Sequence, residues 1–277
     1  MDRFLCPVDF SAYSLNALEY ASKLLQIRKG SMTLIHIFSE KEFLHSLEGE
    51  KSDFDDLKQH AKEKLSGLAD EIEKEYEFEC DFVLSIGEVN NSISQYAVNN
   101  DFDLIIMGTQ GNGYSRKTII GSRTLRTVEN SAVPVLTVPL DADFKNWNSV
   151  VYASDYSDHD KITMQKLVSF IYPFRSRIRF VHVSHSKNVM SEKSYEEFKS
   201  ELSSFLGYDK ISYYLKEYKK DISSGIEEFV NEQQGDVLVL LKRKRNFFEK
   251  LLGNSVSTEI TYLSTHPLLI YQEKDNH

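Results

Sequence analysis

The sequence predicts an α/β chain built as two tandem copies of a five-stranded, doubly wound parallel sheet with helices on both faces. Three observations predict it. Short apolar runs alternate with amphipathic stretches along the chain, and four blocks of the first half return in order in the second. The 277 residues also suffice for two domains of ordinary size.

In the first half, apolar and β-branched runs predict strands at residues 4–8, 32–38, 82–86, 104–107 and 135–138. Amphipathic periodicity predicts helices at 14–26, 54–76, 90–99 and 122–130, the first with Leu15, Leu18, Ala21, Leu24 and Leu25 on one face. Apolar runs of this length between helices suit a parallel sheet buried on both sides. In such a sheet ligands sit at the carboxyl ends of the strands, where the winding reverses. The second half repeats the order, with strands expected at 150–153, 177–183, 211–215, 237–241 and 268–271.

The repeat is visible residue by residue. Val8-Asp9-Phe10-Ser11 returns as Ser154-Asp155-Tyr156-Ser157, and Leu34-Ile35-His36-Ile37 as Phe180-Val181-His182-Val183, both 146 apart (155 − 9 and 182 − 36). Asp103-Leu104-Ile105-Ile106-Met107 returns as Asp236-Val237-Leu238-Val239-Leu240, and Val133-Pro134-Val135-Leu136 as His266-Pro267-Leu268-Leu269, both 133 apart (236 − 103 and 267 − 134). The second copy is therefore shorter between His182 and Asp236. The polar stretch Asp141-Ala142-Asp143-Phe144-Lys145-Asn146 marks the boundary, giving expected domains at 1–140 and 148–273.

Composition excludes several classes. A net charge of −9 sets the surface against nucleic acid. Two cysteines without a C-x-x-C organise neither a disulfide framework nor a cysteine zinc site, and they suit a reducing cytoplasm. No charged lead with an apolar core opens the chain, and no run of about 18 apolar residues spans a membrane.

The informative segment is Gly108-Thr109-Gln110-Gly111, followed nine residues later by Gly121-Ser122. It leaves a strand and enters a helix. Glycine after a strand permits positive φ and a close backbone approach. A Gly-Ser at a helix start offers free N–H groups at the positive end of the dipole. Two readings fit: a phosphate cradle, or a tight strand-to-helix turn. Gly111-Asn112-Gly113-Tyr114-Ser115-Arg116-Lys117-Thr118 is not a P-loop, because Arg116 stands where the second glycine belongs, and the same residue breaks G-x-G-x-x-G.

The spacing G-2x-G-9x-G-(S/T) resembles the nucleotide-binding signature of the ATP-binding universal stress proteins. Pro7-Val8-Asp9-Phe10-Ser11, Ile35-His36-Ile37 and Asn130-Ser131-Ala132-Val133-Pro134-Val135-Leu136 resemble that family's first strand, second strand and closing segment. The resemblance implies two Rossmann-like domains of the adenine nucleotide alpha hydrolase-like fold, paired through their last strands as an internal pseudo-dimer. It implies ATP, ADP or AMP as ligand, with Mg as the accompanying metal. Pro7, Val8, Asp9 and Ile37 would face the base and ribose. Gly108, Gln110, Gly111, Gly121, Ser122, Arg123 and Thr124 would face the phosphates, with Met107 completing the set.

The second copy departs from this pattern. At offset 133, Gly108 becomes Leu241, Gly111 becomes Lys244, and Gly121-Ser122 becomes Asn254-Ser255; Lys242-Arg243-Lys244-Arg245 replaces the glycine turn. Asp155 remains, matching Asp9, so half of a base site is kept; this copy reads as degenerate, a structural partner first, with a site for another anionic ligand and a contact for RNA or an acidic protein as the alternatives. His182-x-x-His185 lacks a third ligand and reads as structural. Asp158-His159-Asp160 reads as a helix start favoured by the dipole. The aromatic residues read as dispersed packing.

Three functions compete: a cytoplasmic, nucleotide-dependent stress-response regulator with a protein partner, a weak Mg-dependent ATPase, and an interaction module that binds no nucleotide. The lack of a Walker-type lysine or a water-activating residue favours the first. A homodimer of chains is compatible with it.

Overall fold

The computed structural model describes residues 1–38, 54–86, 89–110, 120–154, 156, 158–184, 192–218, 221–242 and 265–273. The chain divides into two units, Met1–Asp143 and Phe144–His277.

The first unit carries strands β1 (Asp2–Pro7), β2 (Gly30–Phe38), β3 (Cys80–Ile86), β4 (Leu104–Gly108) and β5 (Val135–Val138). Its helices are α1 (Ala12–Arg28), α2 (Phe54–Tyr76), α3 (Val89–Asn99) and α4 (Ser122–Asn130). The strands lie in the order β3-β2-β1-β4-β5, and all neighbours are parallel. The winding runs from β1 out to β3 and then returns across β1 to β4 and β5. The β1–β4 seam is therefore the switch point, where consecutive connections leave in opposite directions. Right-handed crossovers place α1 and α2 on one face and α3 and α4 on the other; α1 packs on α2, and α3 on α4. Both β4 and β5 are buried at every residue, so neither shows the polar alternation of a half-exposed strand.

Helix α1 begins where the Ser11 hydroxyl accepts the Ser14 N–H at 3.2 Å. Its buried face includes Ala17, Leu18, Ala21, Leu24 and Leu25. Leu15, expected on that face, is 40% exposed. Ser14 points inward instead, one turn before Leu18. Its hydroxyl donates to the Ser11 carbonyl and accepts the Asp9 N–H, so this inward position serves the loop before the helix rather than the apolar core.

The second unit has strands β6 (Ser149–Ala153), β7 (Arg177–Ser184), β8 (Ile211–Glu217), β9 (Val237–Lys242) and β10 (Leu268–Gln272), in the order β10-β9-β6-β7-β8 and all parallel. Its helices are α5 (Asp158–Ile171), α6 (Glu192–Leu206) and α7 (Ile222–Glu232), with a short 3-10 turn at Tyr172–Phe174. The segment around Gly253-Asn254-Ser255 lies outside the described residues.

Aromatic side chains pack the core of this unit. Tyr152 and Phe180 stack with centroids 5.3 Å apart, and Tyr156, Phe198 and Tyr213 close around Phe180 at 5.5–5.8 Å centroid separations. Phe180 is fully buried. Replacing it with alanine should cost about 3–5 kcal/mol, as a buried ring removed without collapse of its surroundings does. A clear fall in the urea midpoint of the second unit checks this.

Candidate functional site

The switch point of the first unit gathers most of the candidate residues. Pro7 ends β1 against Ile35 of β2, and Leu5 pairs with Ile105 of β4. Val8 follows, 4% exposed, with its N–H on the Ile35 carbonyl at 2.9 Å. Asp9 then accepts both the N–H and the hydroxyl of Ser11 on Oδ1, at 3.1 and 2.5 Å. This carboxylate-closed turn lets the chain swing from strand to helix within three residues. Phe10, between them, takes a left-handed φ of 59°, a conformation that a bulky residue keeps only when its surroundings impose it.

Gly108 ends β4 beside this turn. A Cβ built there would lie 2.7 Å from the Tyr13 carbonyl oxygen and 2.8 Å from its carbon. The φ of Gly108 is not positive. The expectation that this glycine supplies a left-handed turn is therefore corrected: it supplies room for the first turn of α1 to close on β4. Sterics, not conformational freedom, select glycine here.

The two ends of the glycine segment are fastened together. The Gly121 N–H donates to the Thr109 carbonyl at 2.6 Å, and the Thr109 N–H to Val138 at 3.1 Å. Thr124 Oγ1 donates to the Gly108 carbonyl at 2.8 Å and Thr124 is 3% exposed. Expected to face phosphates, Thr124 instead braces α4 against β4. Gly121 caps α4 in an extended conformation without a side-chain hydrogen bond. Ser122 is exposed, and Arg123 and Gln110 are half-buried. Met107 and Ile37 are buried at the ends of β4 and β2. Gly111 lies outside the described residues.

His36 was missed by the sequence reading, which used it only as part of a strand. Its Nδ1 lies 2.7 Å from the Val8 carbonyl. Burial pushes its pKa down; the Val8 carbonyl and Asp9 act in the opposite sense, and Arg123 adds to the lowering. Asp9, His36 and Arg123 thus form one electrostatic neighbourhood at the carboxyl edge of the sheet. The nucleophile candidates are far less available. Burial raises the Cys6 thiol well above its usual range and pushes Cys80 up to about 12, so neither is a ready thiolate. Among the described residues no cluster of histidine, cysteine and carboxylate side chains is suited to a metal. The start of α1, the start of α4, the Arg123 guanidinium and the Asp9 carboxylate thus lie by the carboxyl edge of the sheet, groups of the kind that can recognise a polar molecule with an anionic end.

The same edge of the second unit is built differently. Asp160 stands where the repeat offset places Ser14, is 2% exposed, and accepts Tyr152 Oη at 2.7 Å and Ser154 Oγ at 2.5 Å. Leu241, 3% exposed, replaces Gly108. His182 holds the Ser154 carbonyl through Nδ1 at 2.8 Å. Asp155, His185 and the run Arg243-Lys244-Arg245 lie outside the described residues; Lys242 ends β9.

Comparison with known proteins gives this architecture a family. The family model described as "Universal stress protein family" matches residues 1–139 and again 146–272. The chain belongs to the universal stress protein family. Universal stress protein MJ0577 of Methanocaldococcus jannaschii is 26% identical over 151 residues, which is 49% of this chain and 93% of that protein. Universal stress protein Slr1230 of Synechocystis is 31% identical over 71 residues, or 26% of this chain and 25% of that protein. Among solved structures, a universal stress protein from Archaeoglobus fulgidus superposes with a TM-score of 0.75 at 17% identity, covering 98% of each chain. A universal stress protein from Pseudomonas aeruginosa gives 0.67 at 13% identity over 98% of this chain and 93% of that one. These structural likenesses carry the fold.

The steric account of Gly108 predicts that Gly108→Ala destabilises the first unit by about 1–3 kcal/mol, the usual cost of overpacking. Urea denaturation measures it. Unchanged stability would mean that α1 does not seat on β4 as described.

Proposed function

We propose that this member of the universal stress protein family binds an adenine nucleotide, ATP foremost, in its first repeat and acts as a nucleotide-dependent regulator in the stress response. The observation that carries the reading is the convergence at one switch point of Asp9, the Gly108–Gln110 turn, the start of α4 and Arg123. Binding at the carboxyl edge of the switch-point strands is what this topology favours.

In this reading the base and ribose lie along Pro7, Val8, Asp9 and Ile37. Asp9, anchored by Ser11, is an acceptor for an exocyclic amine or a ribose hydroxyl. The phosphates lie toward Gly108, Gln110, Gly111, Gly121 and Ser122, where main-chain N–H groups at the start of α4 and the Arg123 guanidinium offer donors. Magnesium accompanies the phosphates and is held chiefly by them, as this small, strongly hydrated ion commonly is at nucleotides. Thr124 shapes the crevice from behind. The reading is one of recognition rather than turnover, because Asp9 sits at the base end, remote in role from a terminal phosphate. Four features support it: the glycine spacing resembles the family's ATP-binding signature, no dominant positive charge draws the chain to nucleic acid, the second repeat lacks the matching glycine, and no described helix is long and apolar enough to cross a membrane.

The experiment is thermal unfolding with and without millimolar MgATP. A ligand at about 100 times its dissociation constant adds about 2.7 kcal/mol, which raises the midpoint by several degrees. Ser122→Asp should abolish the rise while leaving the unliganded midpoint unchanged or slightly higher. An exposed carboxylate at a helix start is favoured by the dipole, yet it repels phosphate. No rise in the wild type, or an equal rise in the variant, would contradict the reading.

A further inference from the structure

The two repeats differ where the glycine segment leaves the fourth strand, yet one device at the carboxyl edge of their first strands is kept. In the first, Val8 stands just beyond β1; its N–H is held by the Ile35 carbonyl at 2.9 Å and its carbonyl by His36 Nδ1 at 2.7 Å. In the second, Ser154 stands just beyond β6; its N–H is held by the Val181 carbonyl at 2.9 Å and its carbonyl by His182 Nδ1 at 2.8 Å. Two residues on, the chain is left-handed in both: Phe10 at 59° and Tyr156 at 61°. The aromatic ring of that residue lies on the histidine, with centroids 5.1 Å apart for Phe10–His36 and 4.6 Å for Tyr156–His182.

A carbonyl oxygen only accepts, so each Nδ1 carries the proton. The ring therefore does two things at once. Its N–H adds one more rung to the ladder after the backbone has left it, and its face holds the aromatic residue that must adopt an unfavourable φ. Between these two fixed points stands Asp9. Asparagine keeps the donor without the ring and phenylalanine the ring without the donor, so the two substitutions separate the hold on the carbonyl before Asp9 from the support of the residue after it.

We infer that His36 is the positioning residue of the nucleotide site, setting where Asp9 stands by clamping the residues on either side of it. The inference rests on the adenine-nucleotide reading above. Its class of ligand is the base and ribose end of a nucleotide, because Asp9 lies at that end and the clamp acts on Asp9 alone. His182 is the same clamp in a repeat that lacks Gly108 and Gly111 at the matching positions, which explains why the device is kept without them: it is needed for the left-handed turn wherever that turn is made.

The test compares His36→Phe and His36→Asn with the wild type by two measurements on the full chain: ATP titration, and amide hydrogen exchange of residues 8–11 without ligand. His36→Phe should weaken ATP binding by about tenfold or more, a loss of about 1.4 kcal/mol, and speed exchange at residues 8–11, while the Tyr156 amide stays protected. His36→Asn, which keeps a donor near the Nδ1 position, should restore most of both. Equal affinity in His36→Phe and the wild type overturns the positioning role, whatever the exchange shows. Equal losses in both variants also overturn it, since the donor would then not matter. If the wild type binds no ATP, the nucleotide reading itself falls. Exchange tells the two failures apart: the donor-dependent clamp would still separate Phe from Asn at residues 8–11.

Discussion

The first repeat depends on a contact that only glycine permits: the backbone of Tyr13, in the first turn of α1, lying against the end of β4 at Gly108. It brings the start of α1 to the seam where the winding reverses. The Asp9 turn, the Ser11 cap and the inward Ser14 then follow, because a helix seated this close leaves only three residues to turn the chain. On the other side of Gly108, its carbonyl receives the Thr124 hydroxyl, so α4 is anchored to the same residue. One missing side chain thus positions the starts of both α1 and α4 against the end of β4.

The second repeat shows what the scaffold becomes without that contact. Leu241 fills the place of Gly108, and Asp160 fills that of Ser14. The Asp160 carboxyl, buried in the first turn of α5, is held there by two hydroxyls. Aromatic packing around Phe180 takes over the work of holding the strand ends in place. The fold is preserved, since the parallel order and the histidine clamp are unchanged, while the chemistry of the edge is replaced.

Much of this was legible in the sequence, for physical reasons. The strand and helix order came from apolar periodicity, which a doubly wound sheet enforces strictly, and α2 and α4 fall on the bounds that periodicity predicts. The internal repeat exposed the architecture twice. What was not legible depends on contacts distant in sequence. Leu15 shares the apolar spacing of its helix, and nothing local says that Ser14 is drawn inward by Asp9. Gly108 signals a turn equally well whether its need is steric or conformational. Thr124 stands beside residues that face the crevice, yet its hydroxyl is committed sixteen residues back, to Gly108. Asp160 reads as an ordinary helix-start acid, and His36 as one more strand residue. Their partners, Tyr152 in β6 and Val8 just beyond β1, come from other segments of the chain. Comparing positions 36 and 182 was the one sequence signal that pointed to the clamp.

Under the proposed function, the first repeat holds a nucleotide and the second does not. Calorimetric titration of the intact chain with MgATP measures this directly through its stoichiometry. The account predicts one site per chain, lost in Ser122→Asp. Two sites per chain would contradict the assignment of the second repeat, and saturation persisting in Ser122→Asp would place the nucleotide elsewhere.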